Sequence, residues 1–309
     1  MSDDSTLFES EKERLREALS EEPTNVAVVS EPFAGRETLV DTAVEELDTE
    51  TRRTALSSVT EADALVADDA FADTEAVCVE GCEYLYTRRI DGFETLERFV
   101  EKVASSDATF VVSWNSYAWE YARRTTEVDA VFGEVVSLPT LDAETVADSL
   151  ASEYDVSEFE DDLEELRQEG DRFVDRLPDR LRFGLEEKSD NVFERITALS
   201  GGNLGVARAV FESRLWKEGG EDDHTDLSYE DAFVLSVLVS KEAVGREVLE
   251  TVVSPRSLET SLRKLSDAEF AELEGGDDIG GDRDGGRVSL RPERLVRAVT
   301  HLERRRLVW

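Results

Sequence analysis

Two cysteines, two histidines, one methionine and six lysines are all that the 309 residues hold of those types. Each shortage excludes something. Cys78 and Cys82 are too few for a disulfide framework, and a reducing compartment disfavours even one bridge. Cys78, inside an apolar run, is expected to be a small core residue. His224 and His301 are far from each other and from both cysteines, so no metal-ligand spacing is present. No segment approaches the ~20 apolar residues of a membrane span; the longest apolar run, Ala232 to Val239, is broken by Ser236. The N-terminus, MSDDSTLFESEKERL, lacks the basic and apolar regions of a signal peptide, so the cytoplasm is the expected location.

Carboxylates are abundant. There are 73 acidic against 35 basic side chains, 29 of the latter arginine, for a net charge of −38. Hydrophobic residues still make up 40% of the chain, which excludes wholesale disorder, and the length fits two or three domains. Strong acidity with scarce lysine fits a halophilic protein, whose hydrated carboxylates keep it soluble where salt screens ordinary repulsion. The charge is therefore read as habitat first; otherwise it argues against nucleic acid.

Periodicity divides the chain. Leu7–Ser20 reads as an amphipathic helix. Asn25–Val29 is a short branched apolar run, followed by a Pro- and Gly-containing turn and a helical pattern from Arg36 to Leu47. Further strands are expected at Ala76–Val79, Thr109–Ser113 and Glu134–Leu138, with helices at Phe93–Ala104 and Tyr117–Thr126. Apolar strands alternating with helices imply a parallel sheet covered on both faces, with any site at the carboxyl ends of the strands. From Leu141 the pattern is helical: Leu141–Tyr154 capped by Asp142, an acidic helix at Glu158–Gly170, and a pair within Phe193–Trp216 broken at Ser200-Gly201-Gly202-Asn203. After a polar linker at Gly219–Asp226, helices at Ser228–Val239, Val244–Val252 and Pro255–Leu265 precede two strands, Phe270–Glu274 and Val288–Leu290. A helix from Pro292 to Arg306 closes the chain. Three helices, a hairpin and a closing helix make a winged helix-turn-helix arrangement.

Strand, glycine-containing loop and helix are also how a phosphate-binding P-loop is placed, since loop and helix N–H groups converge on an anion. Against G-x-x-x-x-G-K-[ST] the segment gives Ser30 for the first glycine, Gly35 for the second, Arg36 for lysine and Glu37 for the magnesium-binding hydroxyl, with Thr38 one residue late. The layout resembles the AAA+ and STAND groups of P-loop ATPases, particularly their origin-recognition-like architecture. The resemblance covers most of the chain in order. It implies an α/β fold with a parallel-sheet P-loop NTPase-like domain at 1–140, a small helical lid at 141–218 and a C-terminal winged helix-turn-helix domain at 227–309. It implies ATP or ADP with magnesium as ligand, Ser30, Gly35, Arg36, Glu37 and Thr38 as nucleotide-binding residues, and Glu80, ending Val77-Cys78-Val79, in the metal-holding acidic position. Gly81 stands at the family's catalytic glutamate, with Glu83 near. Ser113 or Asn115 matches the polar sensor, and Arg208, in Ser200-Gly201-Gly202-Asn203-Leu204-Gly205-Val206-Ala207-Arg208, the lid arginine, although Leu204-Gly205 replaces Pro-Arg.

The departures point one way. Arg36 keeps a charge but not a compact ammonium. Glu37 sets a carboxylate where phosphate and metal should meet, at a cost of several kcal/mol. Hydrolysis needs positioned water, metal and charge stabilisation together, so at most a weak ATPase is expected, with Glu80 and Asn115 as what remains of the catalytic set. The reading requires Ser30–Thr38 to lie beside Glu80 and Asn115.

Trp114, Trp119, Tyr117 and Tyr121 are expected to be core or domain-contact residues rather than stacked on a base. Arg123-Arg124 would be an arginine finger in a homo-oligomer, and otherwise a solvated helix end. From Arg283 to Trp309 eight arginines face three acids, and the Pro255–Leu265 helix carries Arg256, Arg263 and Lys264 as DNA-binding candidates. Asp277, Asp278, Asp282 and Asp284 in the hairpin tip oppose a wing-first phosphate contact. Two classes follow: a regulatory ATPase relative with the winged helix as output to DNA or protein, or a non-enzymatic transcription regulator or adaptor that lost the nucleotide.

Overall fold

The computed structural model describes residues 7–20, 22–47, 49–67, 71, 74–154, 192–217, 226–274 and 286–307. The expected helix at 158–170, His224, most of the 219–226 linker and the four aspartates at 277, 278, 282 and 284 lie outside the described residues.

The first part is a sheet of five parallel strands in the order β2-β3-β4-β1-β5. They are β1 (Val26–Ser30), β2 (Thr51–Ala55), β3 (Ala76–Glu80), β4 (Thr109–Asn115) and β5 (Glu134–Ser137). The three central strands are apolar on both faces because both are covered. On one face Val26, Val28, Cys78 and Val111 pack beneath Leu15 and Leu19 of α1 (Glu9–Leu19) and Leu39, Val40 and Ala43 of α2 (Glu37–Glu46). On the other, Val29, Val79, Val112 and Trp114 pack with α3 (Val59–Ala67), α4 (Glu94–Ser105) and α5 (Ser116–Thr125).

The strand β2 and helix α3 were not expected. Thr51-Arg52-Arg53-Thr54-Ala55 is an edge strand, half in solvent, so it lacks the apolar run that marks a central one. The other elements fall within a few residues of their expected bounds, and Cys78, Trp114 and Trp119 are core residues.

Helices α6 (Ala143–Glu153), α7 (Val192–Ser200) and α8 (Leu204–Glu212) follow, α6 capped by Asp142 and α8 by Asn203. The chain then forms α9 (Tyr229–Lys241), β6 (Ala243–Gly245), α10 (Arg246–Val252), α11 (Pro255–Asp267), β7 (Ala271–Glu274), β8 (Arg287–Leu290) and α12 (Leu295–Arg304). β6, β8 and β7 form an antiparallel sheet in that order. The helix expected at Val244–Val252 begins only at Arg246, because Ala243–Gly245 pairs with β8. Helix α9 is buried almost all round, and its Val234 and Leu238 join the cluster on the α3–α5 face of the first sheet. The core is therefore continuous from the parallel sheet into the C-terminal helices.

Candidate functional site: a crevice closed by an internal ion-pair cluster

Strand β1 lies between β4 and β5, while α2 carries the chain from β1 to the far edge strand β2. The strand order reverses at β1, and at such a point the carboxyl ends open a crevice. The turn Ser30–Arg36 sits there, with Phe33 at φ 65° and Gly35 at φ 82°. A left-handed backbone at Gly35 is free of the Cβ penalty that Phe33 bears.

A cavity of about 520 Å³ opens beside this turn, lined by Phe33, Arg36, Glu37, Leu56, Ser57, Glu80, Gly81, Glu83, Tyr84 and Ser113 on one side. Lys241, Glu242, Ala243, Glu274, Arg287, Ser289 and Leu290 close the other. Of the residues singled out in the sequence, Arg36, Glu37, Glu80, Gly81, Glu83 and Ser113 meet here. Asn115 is one link away, its backbone N–H donating at 3.2 Å to the Glu83 carboxylate that also holds Arg36.

Arg36 is the centre of the cluster. Its Nη2 donates to Glu83 Oε1 at 2.7 Å and its Nη1 to Glu242 Oε1 at 2.9 Å. The Arg36 side chain is 13% exposed and that of Glu83 2%. Burial alone would lower the guanidinium's affinity for its proton; Glu83, Glu242 and Glu37 outweigh it and push the value up. Glu242 is pushed up by burial, with Arg36 opposing. Both shifts follow from a charge cluster taken out of water.

Lys241 completes the cluster from below. Its amine is buried and donates to the carbonyls of Glu83 and, at 2.9 Å, Tyr86. Burial lowers its pKa to about 7, against the pull of Glu83. The Tyr84 hydroxyl is shared between the carbonyls of Lys241 (3.1 Å) and Ala243 (2.5 Å). The Asn115 side-chain amide donates to Val239 O at 2.9 Å, and its oxygen caps α5 at Tyr117 N.

The remaining candidates stand elsewhere. Glu80, expected from the resemblance to hold a metal, accepts from Arg53 Nε at 2.6 Å and is paired with β2. Ser30 is buried with its hydroxyl on Glu31 O, and Thr38 is exposed on the first turn of α2. Arg208 pairs with Glu153 of α6 and does not line the cavity. The α8 start nevertheless touches the turn: Asn203 Nδ2 donates to Pro32 O at 2.8 Å, and a methyl at Gly205 would overlap the Phe33 carbonyl. Arg256 and Arg263 are exposed on α11, whereas Lys264 bonds Asp231 Oδ2 at 2.9 Å. Arg123 and Arg124 both pair with Glu120 of their own helix.

The residues do not fit a magnesium triphosphate as they stand. The turn's single cation is committed to two carboxylates, Glu37 adds a third, and Glu80 is taken by Arg53. Among the described residues no group of three or more His, Cys, Asp and Glu side chains is placed to hold a metal ion. The half of the crevice supplied by Lys241 and Glu242 was not foreseen. Its signal was a charged pair ending a helix that is apolar through most of its length.

No family model matches the chain, and no curated protein matches it. Solved structures similar to it include the Thermotoga maritima RuvB Holliday junction branch migration motor, 15% identical over 96% of this chain and 94% of that one, with a TM-score of 0.36. Another is the Aeropyrum pernix ORC1 protein in complex with DNA, 14% identical over 95% and 94%, at 0.40. A third is Cdc6p from Pyrobaculum aerophilum, 12% identical over 96% and 93%, at 0.36. Similarity at this level says nothing of what the chain binds. No helix among the described residues is long and apolar enough to cross a membrane.

Proposed function

We propose that the chain is a non-hydrolysing regulatory relative of the AAA+ and STAND ATPases, in which the phosphate cradle has become a structural joint. In this reading residues 1–140 are the nucleotide-type domain, 141–218 the lid and 227–309 a winged helix-turn-helix output. The observation that carries it is the double ion pair of Arg36 with Glu83 and Glu242, which fills the anion position with the protein's own carboxylates. Magnesium with ATP or ADP would have to break both pairs and face Glu37 as well, and several kcal/mol of repulsion oppose that. The exposed Arg256 and Arg263 on α11 support DNA as the partner of the output, with α11 in the major groove.

Phosphate release from ATP with magnesium at high salt tests the first part. No turnover above the protein-free rate is expected, and turnover lost on Glu80→Gln would overturn the reading. For the second, binding to duplex DNA should weaken as salt rises and fall several-fold in Arg256→Ala plus Arg263→Ala. No binding at any salt rejects DNA and leaves a protein partner.

A further inference from the structure

We propose that residues 239–243 form a releasable latch between the C-terminal helices and the parallel sheet. The inference does not depend on whether the crevice takes a nucleotide. Its support is the placement of the polar contacts, the cavity beside them and the backbone at Glu242.

Most of the polar contacts across this boundary converge on one helix end; another, Arg88 Nη1 donating to Ser236 Oγ at 3.3 Å, lies farther back along α9. Val239, Lys241, Glu242 and Ala243 are held by Asn115, by Tyr84 and the carbonyls of Glu83 and Tyr86, and by Arg36. Beyond that end the surfaces part. Glu274, Arg287 and Ser289 of the small sheet look across the 520 Å³ cavity toward Glu37, Ser57 and Glu80. The boundary is therefore packed along α9 and open beyond its end, so α9 is the line about which the open side can move.

The backbone at the fastened end is strained. Glu242 has φ 63° and ψ −49°, close to the classic γ-turn that a non-glycine residue adopts only under constraint. Leu238 O and Leu290 N pin its peptide groups at 2.7 Å each, and Arg36 holds its carboxylate. Release of the carboxylate removes one of the constraints that impose this conformation. Whatever engages Arg36 in place of Glu242 therefore shifts the boundary toward opening.

Native-state hydrogen exchange resolved to individual segments tests this on the whole chain. In Glu242→Gln the amides of 239–243 and 82–86 should exchange together at least about tenfold faster, while 110–114 in β4 keep their rates. Unchanged rates overturn the latch. So does faster exchange spread evenly into β4, which would mark an ordinary structural ion pair. Should Glu242→Gln not fold, the wild-type chain in graded denaturant decides. The two segments should open below the denaturant range that opens β4; opening only with β4 refutes the proposal. ATP turnover bears on the proposed function alone, so the two can fail separately.

Discussion

The buried amine of Lys241 makes stability rise with pH through the neutral and mildly alkaline range. Its pKa falls from 10.5 to about 7 on folding, because burial penalises the ammonium more than Glu83 supports it and Arg88 adds repulsion. Between those values the unfolded chain carries a proton that the native chain lacks. Stability must then rise with pH, by up to about 1.4 kcal/mol per unit once Lys241 is neutral. Half the amines are already neutral at pH 7, so integration to pH 9 gives a gain of about 2 kcal/mol. Above pH 9 the sign reverses. Burial raises Cys78 to about 12 and Cys82 well above its ordinary value of 9.0. The native thiols then keep protons that the unfolded ones have released. Urea unfolding at pH 7, 8 and 9 reads the effect, with Lys241→Met as the comparison. The wild-type midpoint should climb and the variant's should not. Because the amine is buried, added salt should leave the slope in place. Parallel profiles for the two proteins would refute the argument, since they would mean that Lys241 reaches water or titrates at its ordinary value.

Three further substitutions separate the parts. Arg36→Ala strands the carboxylates of Glu83 and Glu242 and should lower stability by about 3–5 kcal/mol, read as a shifted denaturant midpoint; an unchanged midpoint means the pairs are absent in solution. Gly205→Ala drives a methyl into the Phe33 carbonyl where α8 meets the turn, and a loss of about 1–3 kcal/mol is expected by the same measurement. Lys264→Ala removes the partner of the buried Asp231 carboxylate and should cost about 1 kcal/mol, whereas Arg263→Ala on the same helix should stay within about 0.5 kcal/mol. Equal effects of those two would show that Lys264 is as solvated as Arg263. If Lys264→Ala is the more costly, DNA binding is better probed through Arg256 and Arg263, where affinity and folding do not change together.

The legible part of this chain is the part whose causes are local. Val26–Ser30, Ala76–Glu80 and Thr109–Asn115 announce themselves because a strand buried on both faces must be apolar at nearly every position. The breaks at Ser30–Arg36 and Ser200–Asn203 are visible because glycine and proline change the backbone whatever lies around them. Edge strand β2 fails that test for the converse reason: one side faces water, so Arg52 and Arg53 are tolerated, and Arg53 can then neutralise Glu80. That pairing joins residues 27 apart and alters what Glu80 can do, yet nothing near Glu80 encodes it. The same holds with more force for Arg36. Its place after Gly35 suggests a phosphate ligand, but its chemistry is set by Glu242, 206 residues later. A motif specifies which groups are offered at a strand end; the partners that occupy them come from tertiary packing. Here α9, apolar through most of its length, is drawn into the core by its Val and Leu side chains, and that burial carries Lys241 and Glu242 to the crevice. Once there, the two charges must be satisfied by what the crevice offers, namely the Glu83 and Tyr86 carbonyls and the Arg36 fork. The hydrophobic sequence of α9 is thus what removes Arg36 from solvent, and a polar substitution in the middle of that helix should loosen the ion pairs as surely as a change at Arg36 itself.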